Sequence, residues 1–121
     1  MEEWIRDNLC EIDAMEEMLK EPLSDNPAEL VKQLTKAEAW YGRATKLLAD
    51  ANAYLDLAEH RELMTIDREM KVLERETALK AMVVKERRLR DILQGLTESL
   101  KNRGILGMSL RRQAAGEKHN W

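Results

Sequence analysis

Residues 30–58 read LVKQLTKAEAWYGRATKLLADANAYLDLA, and alanine recurs in this stretch at every seventh position. Large apolar side chains follow at two further positions of the same heptad, so one broad side of a helix is apolar. Alanine repeated at one position lets a neighbouring helix come close, because side-chain bulk sets the distance between helix axes. The stretch therefore predicts a long, packed helix. Its alanine line consists of Ala37, Ala44, Ala51 and Ala58.

The composition is typical of a helical protein. The 121 residues are 36% charged and 4% aromatic, with five glycines and two prolines, a balance typical of long helices and coiled coils. No run of alternating β-branched residues predicts a strand, and no apolar run approaches the roughly 20 residues that span a bilayer. The single cysteine, Cys10, fits a reducing compartment and is expected to be buried beside an apolar helix side. We expect a cytoplasmic all-α protein that does not contact a membrane.

The strongest helix boundary lies at Glu21–Pro27, where two prolines and three capping residues occur together. Asn26 is the predicted N-cap of the second helix, with Pro27 as its first residue. Gly104 is predicted to close the third helix at the C′ position. We expect a single all-helical domain. Its predicted elements are an N-terminal helix at residues 1–20, long helices at 27–60 and 67–103, a short helix at 105–115 and a tail at 116–121.

The end of the second helix stays open at this stage, because no glycine or proline lies between Gly42 and Gly95. A reversal near residues 60–66 would give a long antiparallel helical hairpin. Continuous helix would instead give one rod of more than about 70 residues. We favour the hairpin, because a single rod leaves its apolar sides nothing in its own chain to cover.

The third helix carries a narrow apolar seam with alternating spacings of three and four residues. Such a seam is typical of a coiled coil or an oligomer interface. Glu86 interrupts it, either as a buried polar group that fixes register or as a residue at a frayed contact. We expect a bundle with coiled-coil-like seams that forms a homo-oligomer. The predicted oligomer interface consists of Leu79, Met82, Leu89, Leu93, Leu96 and Leu100.

Catalytic motifs are absent from the sequence. It has no glycine-rich phosphate loop, no pair of histidines at metal spacing and no nucleophile elbow. Glu59 and Glu62 flank His60, but at what should be an exposed helix end, where a solvated histidine is the simpler interpretation. We expect no catalytic residue, no bound metal, no cofactor and no small-molecule substrate.

Charge is distributed unevenly along the chain. Residues 1–79 carry 19 acidic and 10 basic side chains, a balance of −9, whereas residues 80–121 carry 4 acidic and 10 basic ones, a balance of +6. The asymmetry favours a polyanionic partner for the basic part or attraction between subunits, and an ordinary solvated surface is the alternative.

Several of the basic residues in the C-terminal part are predicted to lie in a row on the third helix. Lys80, Arg87 and Lys101 share a heptad position away from the apolar seam, and a row of cations on a rigid helix can neutralise phosphates and release counterions. No aromatic residue lies between Ala58 and Asn120 to stack on bases, so binding would tolerate any sequence. The predicted nucleic-acid-binding residues are Lys80, Lys85, Arg87, Arg88, Arg90, Lys101, Arg103, Arg111 and Arg112.

The C-terminal part also resembles a known family. Residues 100–105 read LKNRGI, followed by Arg111-Arg112 and Ala115-Gly116. This segment resembles the end of the phage recombination mediators typified by UvsY, in which a Lys-Ser-Arg-Gly-apolar turn precedes a segment ending near Ala-Gly. Residues 30–48, which contain Trp40, are similar to the family's early helix.

The resemblance implies a small all-helical protein that forms rings through its C-terminal helices. It also implies that the protein binds single-stranded DNA and helps to load a recombinase in place of a single-strand-binding protein. Lys101 and Arg103 match the family motif, whereas Asn102 stands where the family has serine. Residues 47–57 are acidic and apolar where the family carries a basic motif. The rival hypothesis is a structural or adaptor helical protein, also phage-borne, that acts through protein contacts alone.

Overall fold

A computed structural model describes the backbone of residues 1–65 and 71–119, and the side chains of residues 1–65 and 71–113. These residues form helices and no strand, which confirms the all-α class. The chain divides into two compact units. Unit 1 comprises residues 1–45 and 95–121, and unit 2 comprises residues 46–94. The helices are α1 (Glu2–Lys20), α2 (Pro27–Leu63), α3 (Val72–Met82) and α4 (Val84–His119).

The start of α2 is held by the side chain of Asn26. Its Oδ1 accepts hydrogen bonds from the backbone N–H of Ala28 at 2.9 Å and of Glu29 at 3.3 Å. Pro27 is the first residue of the helix, a position at which its missing N–H is not needed. The predicted N-cap and helix start are therefore confirmed.

Replacing Asn26 with alanine should lower the free energy of unfolding by about 1 kcal/mol, because two helix N–H groups lose their acceptor. Asn52 provides the matched control, since it is exposed in the interior of α2 and alanine is the better helix former there. Urea unfolding followed by circular dichroism measures both. Equal changes at the two positions would contradict the capping role.

The alanine line of α2 lies on its buried side, as predicted. Ala37, Ala44, Ala51 and Ala58 are all at most 4% exposed, and Leu47 is 1% exposed. Side chains this small leave little volume between the helix and its neighbours, so packed helices can approach closely.

In unit 1, Arg43 of α2 joins that helix to α1. Its Nε donates to Glu11 Oε2 at 2.5 Å, and its Nη2 donates to Glu11 Oε1 and to Asn8 Oδ1, both at 3.0 Å. Asn8 is buried because this hydrogen bond, together with one to the Trp4 carbonyl, satisfies its amide. A partly buried bidentate pair of this geometry fixes which sides of the two helices face each other.

The buried side of α1 does not include Cys10. Ile12, Met15 and Met18 are buried with Asn8, but Leu9 is 47% exposed and Cys10 is exposed as well. The expectation that Cys10 is buried is therefore wrong. Arg43 recruits Asn8 into the interface, which turns Leu9 and Cys10 outward.

Unit 2 contains a reversal of the chain. Leu55 and Ala58 of α2 form a buried cluster with Val83. In continuous helix, Leu55 and Val83 would lie roughly 40 Å apart, since each residue advances the helix by ~1.5 Å. The described segments before and after residues 66–70 therefore pack together, as the favoured hairpin requires, and one continuous rod is excluded. The predicted start of the third helix at residue 67 lies outside the described residues.

The predicted third helix, residues 67–103, is wrong in two respects. First, Val83 adopts φ −110° and ψ 26°, which separates α3 from α4. Second, α4 passes through Gly104 and Gly107 and ends only at His119. No described glycine has a positive φ, so Gly104 is not a left-handed C′ residue. The predicted short helix at 105–115 and the predicted tail up to residue 119 are parts of α4.

The apolar seam is covered by the chain itself. Leu89, Leu93, Leu96 and Leu100 are between 0 and 9% exposed within a single copy. These leucines are therefore core residues, which corrects their assignment to an oligomer interface. Of the remaining two, Leu79 is half-buried and Met82 is 52% exposed, because the break at Val83 shifts the buried side by one residue. Oligomerisation stays a prediction, and the four buried leucines are not accessible to a second copy.

Candidate nucleic-acid interface

Three of the predicted cations surround one shallow hollow on unit 2. Lys80 comes from the last turn of α3, and Arg87 and Arg88 come from the start of α4. The hollow has a volume of about 430 Å³. We call it the cationic hollow. Its lining residues are Lys80, Val84, Arg87, Arg88, Asp91 and Ile92.

Helical spacing brings the α4 side chains together. Arg88 and Asp91 follow Val84 by four and seven residues, and Ile92 follows it by eight, so all project from one side of the helix. Val84 is 46% exposed and Ile92 is 45% exposed. The hollow therefore offers aliphatic surface between its cations. Sequence reasoning missed these two side chains, although the spacing signal was present.

The electrostatics of the hollow favour an anion. Asp91 Oδ1 accepts a hydrogen bond from Arg90 Nε at 2.8 Å, so its charge is compensated from outside the hollow. Among the ion pairs of the described residues, none involves Lys80, Arg87 or Arg88. Three cations thus stand against the single carboxylate of Asp91 in the lining of the hollow, and such an excess of positive charge attracts phosphate groups.

The other predicted cations are divided among different surroundings. Lys85 is exposed but does not line the hollow, and Arg90 is engaged by Asp91. Lys101, Arg111 and Arg112 are exposed in unit 1. The predicted row of Lys80, Arg87 and Lys101 is therefore shared between the two units, and the hollow contains only its first two members.

Arg103 lies in a more buried environment than the exposed cations Lys101, Arg111 and Arg112. Its Nε and Nη2 atoms are buried and make no hydrogen bond within the described structure. Arg103 follows Leu96 and Leu100 at spacings of seven and three, so it continues the buried side of α4 toward Gly107. Arg103 is half-buried with two of its guanidinium nitrogens covered, and its role as a nucleic-acid-binding residue stays a prediction.

His60 and the glutamates that flank it form neither a catalytic cluster nor a metal-binding cluster among the described residues. His60 is exposed, with Glu59 and Glu62 half-buried beside it. Over the described residues, no group of three or more histidine, cysteine, aspartate or glutamate side chains is arranged to hold a metal ion. Within the same part of the chain, no helix is both long enough and apolar enough to cross a membrane.

Comparison of the chain with protein families, curated proteins and solved structures finds no match. The resemblance to the phage recombination mediators therefore stays a prediction from the residues in which it was seen.

Proposed function

We propose that this chain is a non-enzymatic single-stranded-DNA-binding accessory protein that acts as a homo-oligomer in recombination. The observation that carries the DNA-binding part is the cationic hollow, in which Lys80, Arg87 and Arg88 form no ion pair with any residue that the structure describes. Single-stranded DNA suits it because isolated phosphates can contact the cations while bases contact Val84 and Ile92. The role of recombination mediator, with a recombinase as partner, rests on the sequence resemblance of residues 100–105.

Exposed apolar residues support the oligomeric part of the proposal. None of the residues of α3 is buried. Large exposed apolar surfaces on a protein usually mark association sites. Repetition of one hollow per subunit would also raise the affinity for a long strand, because several weak contacts act together. Among the described residues of unit 2, the most exposed large apolar ones are Leu57, Met64, Val72 and Leu73, each between 67 and 74% exposed.

The same surface favours the second candidate function, an adaptor that acts through protein contacts alone. On that hypothesis the cations of the hollow are only solvated. A measurement of DNA binding distinguishes the two functions, because only the first requires it.

Replacing Arg87 and Arg88 with glutamate should abolish retention of a fluorescent oligothymidylate at low salt, because the hollow changes from cationic to anionic. Fluorescence anisotropy measures the affinity, and circular dichroism with light scattering checks that helicity and mass are unchanged. The matched control is the pair Lys32 and Lys36 of α2, both exposed. Their replacement with glutamate changes the net charge equally and should alter the affinity by less than about three-fold.

The salt dependence provides a second readout. Three phosphates neutralised per hollow predict a slope of about −2 in log affinity against log salt, since each contributes about 0.7. Replacing Lys80 with alanine should reduce that slope by about 0.7. If the two glutamate pairs behave alike, or if binding persists in half-molar salt, the adaptor is the better conclusion.

A further inference from the structure

Unit 1 contains a groove between α2 and α4 that the proposed DNA interface does not use. Its volume is about 470 Å³. At the nearby Gly107 the two helices approach closely, because a Cβ on this residue would overlap Leu34 Cδ2 and lie 3.0 Å from Leu34 Cγ. Apolar side chains make up most of the wall. They are Val31, Leu34, Ala37, Leu100, Ile105 and Met108.

The rim of this groove exposes apolar surface. Val31 is 40% exposed, Ile105 is 56% exposed and Met108 is 52% exposed. In contrast, Ala37 and Leu100 at its base are 1% exposed. Covering the three rim residues would remove further apolar area from water, which favours association with an apolar partner surface.

Charge on the two walls restricts the partner. Lys101 and Arg111 lie on the α4 wall, and Glu38 lies on the α2 wall. All three are exposed, and no ion pair among the described residues includes them. Ten residues of helix separate the two cations, a distance of roughly 15 Å along the axis. An occupant that pairs with both must carry two negative charges about 15 Å apart, beside an apolar centre.

We propose that this groove is the docking site for an acidic amphipathic helix of a partner protein. About three turns of helix span the separation between Lys101 and Arg111. Apolar residues of the partner, at spacings of three and four, cover Val31, Ile105 and Met108. Two carboxylates ten or eleven residues apart pair with the cations of α4. A basic residue on its other flank pairs with Glu38, which fixes the direction of the helix.

A charge exchange tests the pairing. The probes are two synthetic helical peptides of about 18 residues (~27 Å long), identical except that one carries glutamate and the other lysine at the two flank positions. The glutamate peptide should bind the protein and lose about ten-fold in affinity when Lys101 and Arg111 are both replaced with glutamate. The lysine peptide should prefer that variant over the wild type. Failure of this exchange would overturn the proposal.

Filling the groove tests its location. A Cβ on Gly104, which lines the groove, meets no atom within 4 Å, so Gly104→Leu places a side chain in the groove without a clash at Cβ. Gly95→Leu is the matched control, because Gly95 is exposed, equally unobstructed and away from the groove. Circular dichroism verifies that both variants fold. The first should lose the glutamate peptide and the second should retain it; equal binding by both would overturn the proposal.

Two outcomes would assign the groove to another occupant and overturn the proposal. One is displacement of the glutamate peptide by oligothymidylate, which would make nucleic acid the ligand. The other is a wild-type protein that binds no peptide but whose mass in light scattering falls with Gly104→Leu, which would make a second copy the occupant. Because the groove belongs to unit 1 and the cationic hollow to unit 2, the DNA-binding test with Arg87 and Arg88 is independent of these results.

Discussion

Replacing Leu93 with alanine should lower the free energy of unfolding by about 2–5 kcal/mol, the range for truncation of a fully buried leucine. Leu93 is 0% exposed, whereas its neighbour Ile92 is 45% exposed. The replacement of Ile92 with alanine should therefore lower the free energy of unfolding by less than about 1 kcal/mol. Urea unfolding followed by circular dichroism measures both variants.

Replacing the same two residues with glutamate should give a larger difference in stability between positions 93 and 92. A single domain is stable by only about 5–15 kcal/mol, and an unpaired carboxylate in the core costs several kcal/mol beyond the lost apolar contacts. Leu93→Glu should therefore unfold the chain, while Ile92→Glu should remain helical. If Leu93→Glu instead gave a fully helical protein of reduced mass, Leu93 would belong to an interface between subunits and not to the core of each one.

Gly107→Ala and Gly104→Ala should change stability in opposite directions although they lie three residues apart in one helix. Alanine at Gly107 meets the side chain of Leu34 and should lower the free energy of unfolding by about 1–3 kcal/mol. Alanine at Gly104 meets no atom within 4 Å and should raise it by up to about 1 kcal/mol, because alanine is the better helix former.

The sign of the Gly104 effect also tests where α4 ends. A glycine at a left-handed C′ position would be destabilised by alanine, so stabilisation requires the helix to continue through it. Thermal unfolding of the two variants and the wild type is sufficient. A loss of stability at Gly104, or a gain of equal size at both glycines, would contradict the continuous helix.

Local chemistry made part of the fold predictable. Asn26 and Pro27 form a helix start whose hydrogen bonds involve only neighbouring residues, so the sequence contains the whole signal. The heptad of alanines likewise identified the buried side of α2, because periodicity reports which side of a helix is covered. It does not report what covers it. For that reason Leu93 and Leu96 could not be assigned to the core or to an interface from their spacing alone.

The errors arose where tertiary contacts override local preference. Gly107 weakens a helix in isolation, and only its contact with Leu34 explains why glycine is used there. Valine does not by itself break a helix, so the sequence did not indicate that α3 would end at Val83. Val83 is instead held in a buried cluster with Leu55 and Ala58.

The sequence predicted which cations line the hollow, but it did not predict which of the other cations lie elsewhere. Helical spacing predicted that Arg87 and Arg88 lie near Lys80, because seven or eight residues make about two helical turns. The partial burial of Arg103 was not predictable, because a cation on the continuation of a buried side is indistinguishable, in sequence, from one on a surface row. The pairing of Asp91 with Arg90 also required coordinates, since the same aspartate could have neutralised Arg87 or Arg88 instead.

Because the helix is interrupted at Val83, α3 has a C-terminus and α4 has an N-terminus at this point of the hairpin. Each helix has a dipole, with partial positive charge at its N-terminus and partial negative charge at its C-terminus. Lys80 lies in the last turn of α3 and Glu86 in the first turn of α4, so each charge is next to an end of opposite sign. Such placements stabilise a helix end by about 0.3–1 kcal/mol each. Glu86, which interrupts the apolar seam in the sequence, therefore helps to fix the position at which α4 begins.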